Sequence, residues 1–206
     1  MKNMKFFCIT TVILLTFSCA PTIVPTPTPG GIVDVETNSL TVEKDGVIIT
    51  VTSESWKHDP VDVKYTFTPF FITVLNNTTG VITIDEDHVF VFDENKTQYG
   101  VVDPKDVDSA LTPRYYPPVF FYGGSNYYYH NRWGMGIEIG YPFETYDSEV
   151  IPTAFRFGPI APGARVMGFV YLQKPPPEVK ELTFKISPIL ESEKLITLSF
   201  NFRREK

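Results

Sequence analysis

The sequence predicts an all-β domain, a sandwich of about eight or nine short strands, and three observations support this prediction. From Val33 onward, apolar and polar residues alternate with a period of two, which is typical of strands with one buried face. Residues that favour turns separate the alternating stretches at short intervals. Only residues 105–111 have a helical pattern, and that stretch is short.

The N-terminal segment has the pattern of a secretory leader. Lys2 and Lys5 come before an uncharged, mostly apolar run over residues 6–17, which is too short to span a bilayer comfortably. The small residue Ser18 then precedes Cys19. This pattern resembles the signal peptide and lipobox of bacterial lipoproteins. The resemblance implies cleavage after residue 18 and a diacylglycerol on Cys19, whereas the alternatives are an uncleaved membrane anchor and an ordinary secretory signal.

The residues after the cysteine lead to expectations about the membrane. In Gram-negative lipoproteins a residue other than aspartate in the next position usually directs the protein to the outer membrane, and here that residue is Ala20. Prolines alternate with other residues over most of residues 19–31, which predicts a polyproline-II tether with neither helix nor sheet. Such a tether would hold the domain, residues 32–206, up to about 35 Å from the lipid. Two or more acyl chains anchor a protein without help from a basic patch.

Charge and cysteine content exclude several classes of function. Loss of Lys2 and Lys5 with the signal takes the formal net charge from −6 to −8, which argues against nucleic acid and anionic lipid surfaces as partners. Cys8 would leave with the signal and Cys19 would be lipidated. No thiol would then remain for a disulfide, a thiolate metal site or nucleophilic catalysis, and no cofactor is expected.

The first half of the domain predicts a hairpin followed by a buried strand. Residues 39–43 and 47–56 flank Asp45 and Gly46, a pair that favours the positive φ angles of a tight hairpin turn. Residues 70–75 are apolar on both faces, as expected for a central strand. Further strands are predicted over residues 81–84, 89–92 and 97–102.

The second half continues the same pattern. Phe155 and Phe157 lead to a turn at Pro162 and Gly163. Strands are predicted over residues 165–173 and 182–186, and again where Ile196, Leu198, Phe200 and Phe202 alternate with Thr197, Ser199, Asn201 and Arg203. Strands of this number and length, separated by turns, are the pattern of an immunoglobulin-like sandwich.

Several of these stretches resemble a telokin-like immunoglobulin domain, a family found mainly in bacterial lipoproteins and exported proteins. The likeness is carried by residues 71–77, with their Asn76-Asn77 turn, and by residues 82–84, 89–93 and 98–99. Residues 160–172 resemble its closing signature, an apolar residue, Pro-Gly and an apolar strand. The resemblance implies the fold and an envelope location, and it implies no active site.

Residues 114–151 depart from the resemblance. Eight of the eleven tyrosines lie in this stretch, together with several glycines and prolines, which is unlike a core strand. One interpretation is a recognition loop for a glycan, a peptide or another envelope protein, because tyrosine and tryptophan make large contacts at small entropic cost. The other is an insertion of biased composition that covers the edge of the sandwich. The candidate contact residues are Tyr127, Tyr128, Tyr129 and Trp133.

Catalytic and metal-binding motifs are weak throughout. The acidic residues 85–88 and 93–95 could supply oxygen ligands to calcium, but their spacing favours solvated turns. His58, His88 and His130 have no recognised metal-ligand spacing. The sequence therefore predicts a non-enzymatic, lipid-anchored module that binds or supports another envelope component. The alternative is a glycan-binding protein or hydrolase that uses residues 114–151 as its substrate platform.

Overall fold

The computed structural model describes residues 22–111 and 148–205, and in these the chain is mostly β with three short helices. The prediction of an all-β domain is confirmed at this level. The strands are β1 (Thr22–Pro25), β2 (Gly31–Asp34), β3 (Ser39–Lys44), β4 (Val47–Thr52), β5 (Phe67–Asn76), β6 (Ile82–Ile84), β7 (Val89–Asp93), β8 (Gln98–Tyr99), β9 (Val101–Val102), β10 (Gly158–Ile160), β11 (Arg165–Gln173), β12 (Glu181–Ile186), β13 (Ile189–Leu190) and β14 (Leu198–Glu205). The helices are α1 (Val63–Thr66), α2 (Pro104–Leu111) and α3 (Val150–Thr153).

The strands form two larger sheets and one small one, and their pairings within the described residues are antiparallel. One sheet has the order β1-β14-β12-β7-β8, and the other has the order β2-β3-β4-β5-β11-β9. The small sheet has the order β10-β6-β13. This is a sandwich-like arrangement, because apolar residues from the facing sides of the two larger sheets share one core.

The predicted hairpin is present as β3 and β4. Lys44 pairs with Val47 across a two-residue turn in which Asp45 has φ 51° and Gly46 has φ 79°. Both angles lie in the left-handed region that a type I′ turn requires. The alternation along β4 buries Val47, Ile49 and Val51 against the main core, as the sequence pattern indicates.

The main core lies between the two larger sheets. Phe70 of β5 packs against Phe184 of β12 and Phe202 of β14, with ring centroids 5.3 and 5.1 Å apart. The predicted alternation of the last strand is confirmed, since Leu198, Phe200 and Phe202 are all buried. The register of β14 therefore places its apolar face inward.

A second core covers the other face of β5 and β11. Along β11, Phe169 and Tyr171 alternate with Val170 and Leu172, so that the first pair points away from the main core. Helical segments cover this face, and the cluster consists of Trp56, Val63, Val107, Val150, Phe169 and Tyr171. The presence of a core on each side explains why residues 70–75 are apolar on both faces.

The tether prediction for residues 19–31 is wrong at Thr22–Pro25 and at Gly31, which lie in strands. Thr22–Pro25 is strand β1, which pairs with β14 over the register Thr22↔Glu205 to Pro25↔Phe202. Ile23 is only 6% exposed and belongs to the main core. Thr22, Ile23 and Val24 retain their backbone N–H groups, and β1 is an edge strand, where a proline is tolerated. One short edge strand therefore forms between the prolines.

The predicted number of strands is too low, because a strand of four residues or fewer is too short to show a clear alternation of apolar and polar residues. β1, β2, β10 and β13 each have four residues or fewer. The predicted strand over residues 97–102 is divided at Gly100 into β8 and β9, which belong to different sheets. The predicted helix over residues 105–111 is confirmed as α2, whereas α1 and α3 were not predicted.

Candidate functional site

The aromatic residues proposed for recognition lie outside the described residues. This applies to Tyr127, Tyr128, Tyr129 and Trp133, and it applies to Cys19 as well. Their assignments remain predictions. What the structure describes is the base from which residues 112–147 depart and to which they return.

That base corrects the C-terminal boundary of the insertion. Val150 begins α3, is fully buried and shares the second core with Val107 of α2. The predicted insertion of residues 114–151 therefore includes the start of α3, which is part of the folded domain. A sequence rich in aromatic residues and glycine obscures the boundary, because a single Val-Ile pair gives no periodicity.

Tyr171 fixes α3 to β11. Its hydroxyl group donates a hydrogen bond of 2.9 Å to the backbone oxygen of Val150 and lies 3.5 Å from Oγ1 of Thr153. Burial raises the pKa of Tyr171 to about 12, so the phenol is neutral and remains a donor at physiological pH.

A half-exposed contact between His58 and Glu149 joins the same region to the loop after β4. Nδ1 of His58 lies 3.2 Å from Oε2 of Glu149, and the backbone N–H of Asp59 donates to the same oxygen at 3.1 Å. The backbone N–H of Glu149 in turn donates to the oxygen of Asp59 at 2.9 Å. Two loops that are far apart in sequence are therefore joined where the chain returns from residue 147.

The two acidic turns, residues 85–88 and 93–95, have the local structure of ordinary turns. Glu86–His88 is a single 3₁₀ turn. Burial alone would raise the pKa of Asp93, but hydrogen bonds from Thr97, Asn95 and Tyr99 together lower it. Over residues 22–111 and 148–205, no three His, Cys, Asp or Glu side chains gather to hold a metal ion.

The strongest candidate site among the described residues is a cleft of about 680 Å³ beside β1, referred to below as the β1 cleft. Such a volume is within the usual range of small-molecule sites. Its walls come from β1, from the residues that follow β4, from α1 and the start of β5, from the loop after β11, and from Arg204 of β14. The lining residues are Thr22, Ile23, Ser53, Glu54, Trp56, Lys64, Tyr65, Phe67, Thr68, Pro69, Lys174, Pro175, Pro176, Pro177 and Arg204.

The cationic side of the β1 cleft is built from Lys174 and Arg204. Nζ of Lys174 donates to the backbone oxygens of Lys64 at 2.8 Å and Tyr65 at 3.0 Å. Arg204 donates from Nη1 to the oxygen of Pro176 at 2.6 Å and from Nη2 to that of Pro175 at 3.3 Å. Burial, together with the neighbouring charge of Arg204, lowers the pKa of Lys174, and Glu54 partly opposes this shift.

Glu54 is the carboxylate in the described lining of the β1 cleft, and its Oε1 accepts a hydrogen bond of 3.0 Å from the backbone N–H of Ile23. The neighbouring Ser53 hydroxyl group donates to the backbone oxygen of Ile23. These two bonds hold β1 against the end of β4. Glu54 therefore has a structural contact. The described lining of the cleft contains three cationic groups, those of Lys64, Lys174 and Arg204, and one anionic group, that of Glu54.

Apolar and aromatic groups complete the cleft. Trp56 is mostly buried, donates from Nε1 to the oxygen of Pro60 at 3.0 Å and packs on Phe169 with ring centroids 4.8 Å apart. Tyr65, by contrast, is 65% exposed, with Nζ of Lys64 5.3 Å from its ring centroid. The cleft can therefore offer an anionic group both charge and apolar contact.

No pattern in the sequence indicates this cleft. Its residues come from five separate stretches of the chain, which only the sheet topology brings together. The available signal was the Lys174-Pro175-Pro176-Pro177 run at the end of β11, since three prolines in sequence stop a strand and fix a loop.

Comparisons with models of protein families, with curated proteins and with solved structures found no match for this chain. Within the part of the chain that the structure describes, none of the helices has the length and apolar character needed to cross a membrane.

Proposed function

We propose that this chain is a cell-envelope lipoprotein, held to the membrane by lipid on Cys19, whose immunoglobulin-like domain is a non-enzymatic binding or structural module. The N-terminal pattern favours the anchor, and the alternating strands with a shared core favour the fold. With Ala20 after the cysteine, the destination in a Gram-negative host is the outer membrane.

The observation that carries the proposal is the N-terminal pattern that ends at Cys19, and the position of β1 determines how far such a lipid would lie from the domain. The strand begins at Thr22, only three residues after Cys19, and is fixed to β14 and to the end of β4. Three residues span at most about 10 Å. A lipid on Cys19 would therefore hold the domain directly at the membrane surface, in place of the distance of about 35 Å that a free tether would allow.

The chemistry of the β1 cleft favours binding over hydrolysis. A glycoside hydrolase needs two carboxyl groups that flank the scissile bond. In the described lining of this cleft Glu54 is the carboxylate, and its Oε1 already accepts the hydrogen bond from Ile23. The proposal therefore assigns binding, and not hydrolysis, to the β1 cleft.

Recognition of another envelope protein or of a glycan is assigned in this proposal to the aromatic residues of the insertion. The anchoring of α2 and α3 in the second core gives residues 112–147 a firm base on the domain. A firm base lowers the entropic cost of presenting Tyr127, Tyr128, Tyr129 and Trp133 to a partner.

The test of the anchor is metabolic labelling with an acyl analogue, followed by membrane fractionation. The wild-type chain should be labelled and sediment with membranes, whereas Cys19→Ser should lose the label and be released or mislocalised, since a single lipidated residue supplies the attachment. Ser18→Ala, which keeps a small residue before the cysteine, is the matched control and should be labelled. An unlabelled Cys19→Ser chain that stays on the membrane would reject the proposal.

A further inference from the structure

We propose that the β1 cleft binds the phosphate-bearing headgroup of an anionic phospholipid in the membrane to which the domain is anchored. This inference rests on the proposed function for the orientation of the domain at the membrane. It assigns the cleft a ligand class, a glycerophospholipid with net negative charge, and gives the domain a second attachment beside the lipid on Cys19.

The first argument is position. Thr22 and Ile23 form part of the cleft wall, and Thr22 is separated from Cys19 by two residues. With at most about 10 Å of chain between this wall and the acylated cysteine, the cleft lies at the depth of the lipid headgroups or just above them. A soluble ligand would meet this cleft less often than a lipid held beside it.

The second argument is charge. Lys64, Lys174 and Arg204 face one carboxylate, that of Glu54, although the chain as a whole carries a formal charge of −6. Two of the three N–H groups of Lys174 and two of the five of Arg204 have protein acceptors, so both residues keep donors for phosphate oxygens. The lowered pKa of Lys174 agrees with a cation that would gain from an anion in the cleft.

The third argument is the exposed surface beside these cations. Tyr65, which lines the cleft, is 65% exposed. Tyrosine favours the membrane interface, where its ring can lie among the acyl carbons and its hydroxyl group among the headgroups. An exposed aromatic ring beside three cations matches the boundary between headgroups and acyl chains.

Because the chain has a net negative charge, binding of an anionic lipid would depend on a local site and not on the surface as a whole. A uniformly basic surface attracts any anionic membrane, but an acidic protein is repelled by it except where a local site compensates. The sequence-based expectation that anionic lipid surfaces are not partners rests on the net charge of the whole chain. The β1 cleft is the local exception in this proposal.

The test is a titration of the purified full chain in a neutral, phosphate-free detergent, followed by calorimetry. The probes are dioctanoyl phosphatidylglycerol, the zwitterionic dioctanoyl phosphatidylcholine, and glycerol 1-phosphate as a soluble phosphate without acyl chains. We expect phosphatidylglycerol to bind about tenfold more tightly than either of the others, because only this probe satisfies both the charge and the apolar contacts.

Variants then locate the site. Lys64→Gln should weaken phosphatidylglycerol binding about fivefold, and Lys174→Met by at least as much, whereas Lys174→Arg should retain it. Lys174 also holds α1 through two backbone oxygens, so the melting temperature of each variant is recorded to detect a loss of stability. Lys64, whose side chain lies over the ring of Tyr65, provides a second and independent test of the site. Lys105→Gln is the matched control, since Lys105 is exposed on α2 and does not line the cleft.

Equal binding of glycerol 1-phosphate and phosphatidylglycerol would overturn the assignment to a lipid. An equal loss of affinity for phosphatidylglycerol in Lys64→Gln and Lys105→Gln would overturn the assignment to the cleft. Both measurements of probe affinity can be made whether or not Cys19 is acylated, because the probe is added to the purified chain. Failure of the anchor would be seen only in the acyl-labelling experiment, so the two proposals can fail separately.

Discussion

Residues 154 and 155 run close beside Gly168 of β11, and replacement of this glycine by alanine should push them away from the strand. A Cβ at this position would lie 2.5 Å from the backbone N of Phe155, 2.6 Å from its Cα and 2.7 Å from the carbonyl carbon of Ala154. All three are backbone atoms, which cannot rotate away as the end of a side chain can. Residues 154 and 155 would have to move off the strand.

The cost follows from what that movement breaks. The N–H of Phe155 donates to the backbone oxygen of Phe169 at 2.8 Å, and such a bond contributes about 1 kcal/mol. The ring of Phe155 is buried in the main core, and displacing a packed core segment costs about 1 to 3 kcal/mol. A loss of about 3 kcal/mol in the free energy of unfolding corresponds to a fall of about 6 to 12 °C in melting temperature for a domain of this size.

The assay is thermal unfolding followed by circular dichroism, with Gly100→Ala as the matched control. Gly100 has no heavy atom within 4 Å of a built Cβ and no positive φ, so alanine should be neutral there or stabilise slightly. Both variants add one methyl group to a glycine, and they differ only in the space that receives it. If the two melting temperatures agree within about 2 °C, residues 154 and 155 do not lie this close to Gly168.

Three further predictions concern the core, the acid response and the insertion. Phe200→Ala should lower the free energy of unfolding by about 3 to 5 kcal/mol, while Ser199→Ala on the outer face should change it by less than about 0.5 kcal/mol; equal losses in urea titrations would mean a wrong register. Hydrogen bonds to the ionised Asp93 lower its pKa, so they stabilise the fold above the usual aspartate range and are lost as the pH falls below about 4. The deficit of Asp93→Asn in thermal melts should therefore shrink between pH 7 and pH 3, and a constant deficit would count against this role. Serine at the four aromatic positions should abolish capture of the partner cross-linked in native membranes while the melting temperature barely changes, whereas early melting with capture retained would assign these rings to the fold. These positions are Tyr127, Tyr128, Tyr129 and Trp133.

The parts of the fold that could be predicted from sequence are those in which local chemistry decides the structure. Asp45-Gly46 specifies a type I′ turn almost independently of its surroundings, and the alternation around Phe200 specifies which face of β14 is buried. The run Phe70-Phe71-Ile72 indicated two buried faces, which the second core confirms. What covers the second face could not be read, because α1 and α3 are each a single turn.

The errors arise where a long-range contact overrides a local preference. The prolines around Ile23 and Val24 disfavour regular structure, yet pairing with β14 and burial of Ile23 provide enough contact for a short edge strand. The β1 cleft is a larger case of the same kind. Glu54, Lys174 and Arg204 are brought together by sheet order alone, and no spacing in the sequence reports that order.

Trp56 connects the two regions to which function is assigned. It lines the β1 cleft, and it also packs against Phe169 and Tyr171 in the second core, where the hydroxyl group of Tyr171 holds α3. A substitution of Trp56 would therefore disturb the cleft and the base of the insertion together, and its phenotype could not be assigned to either. Lys64 lines the β1 cleft and lies outside the second-core cluster. Variants of Lys64, and variants of the candidate contact tyrosines, are consequently the ones that can separate lipid binding from partner recognition.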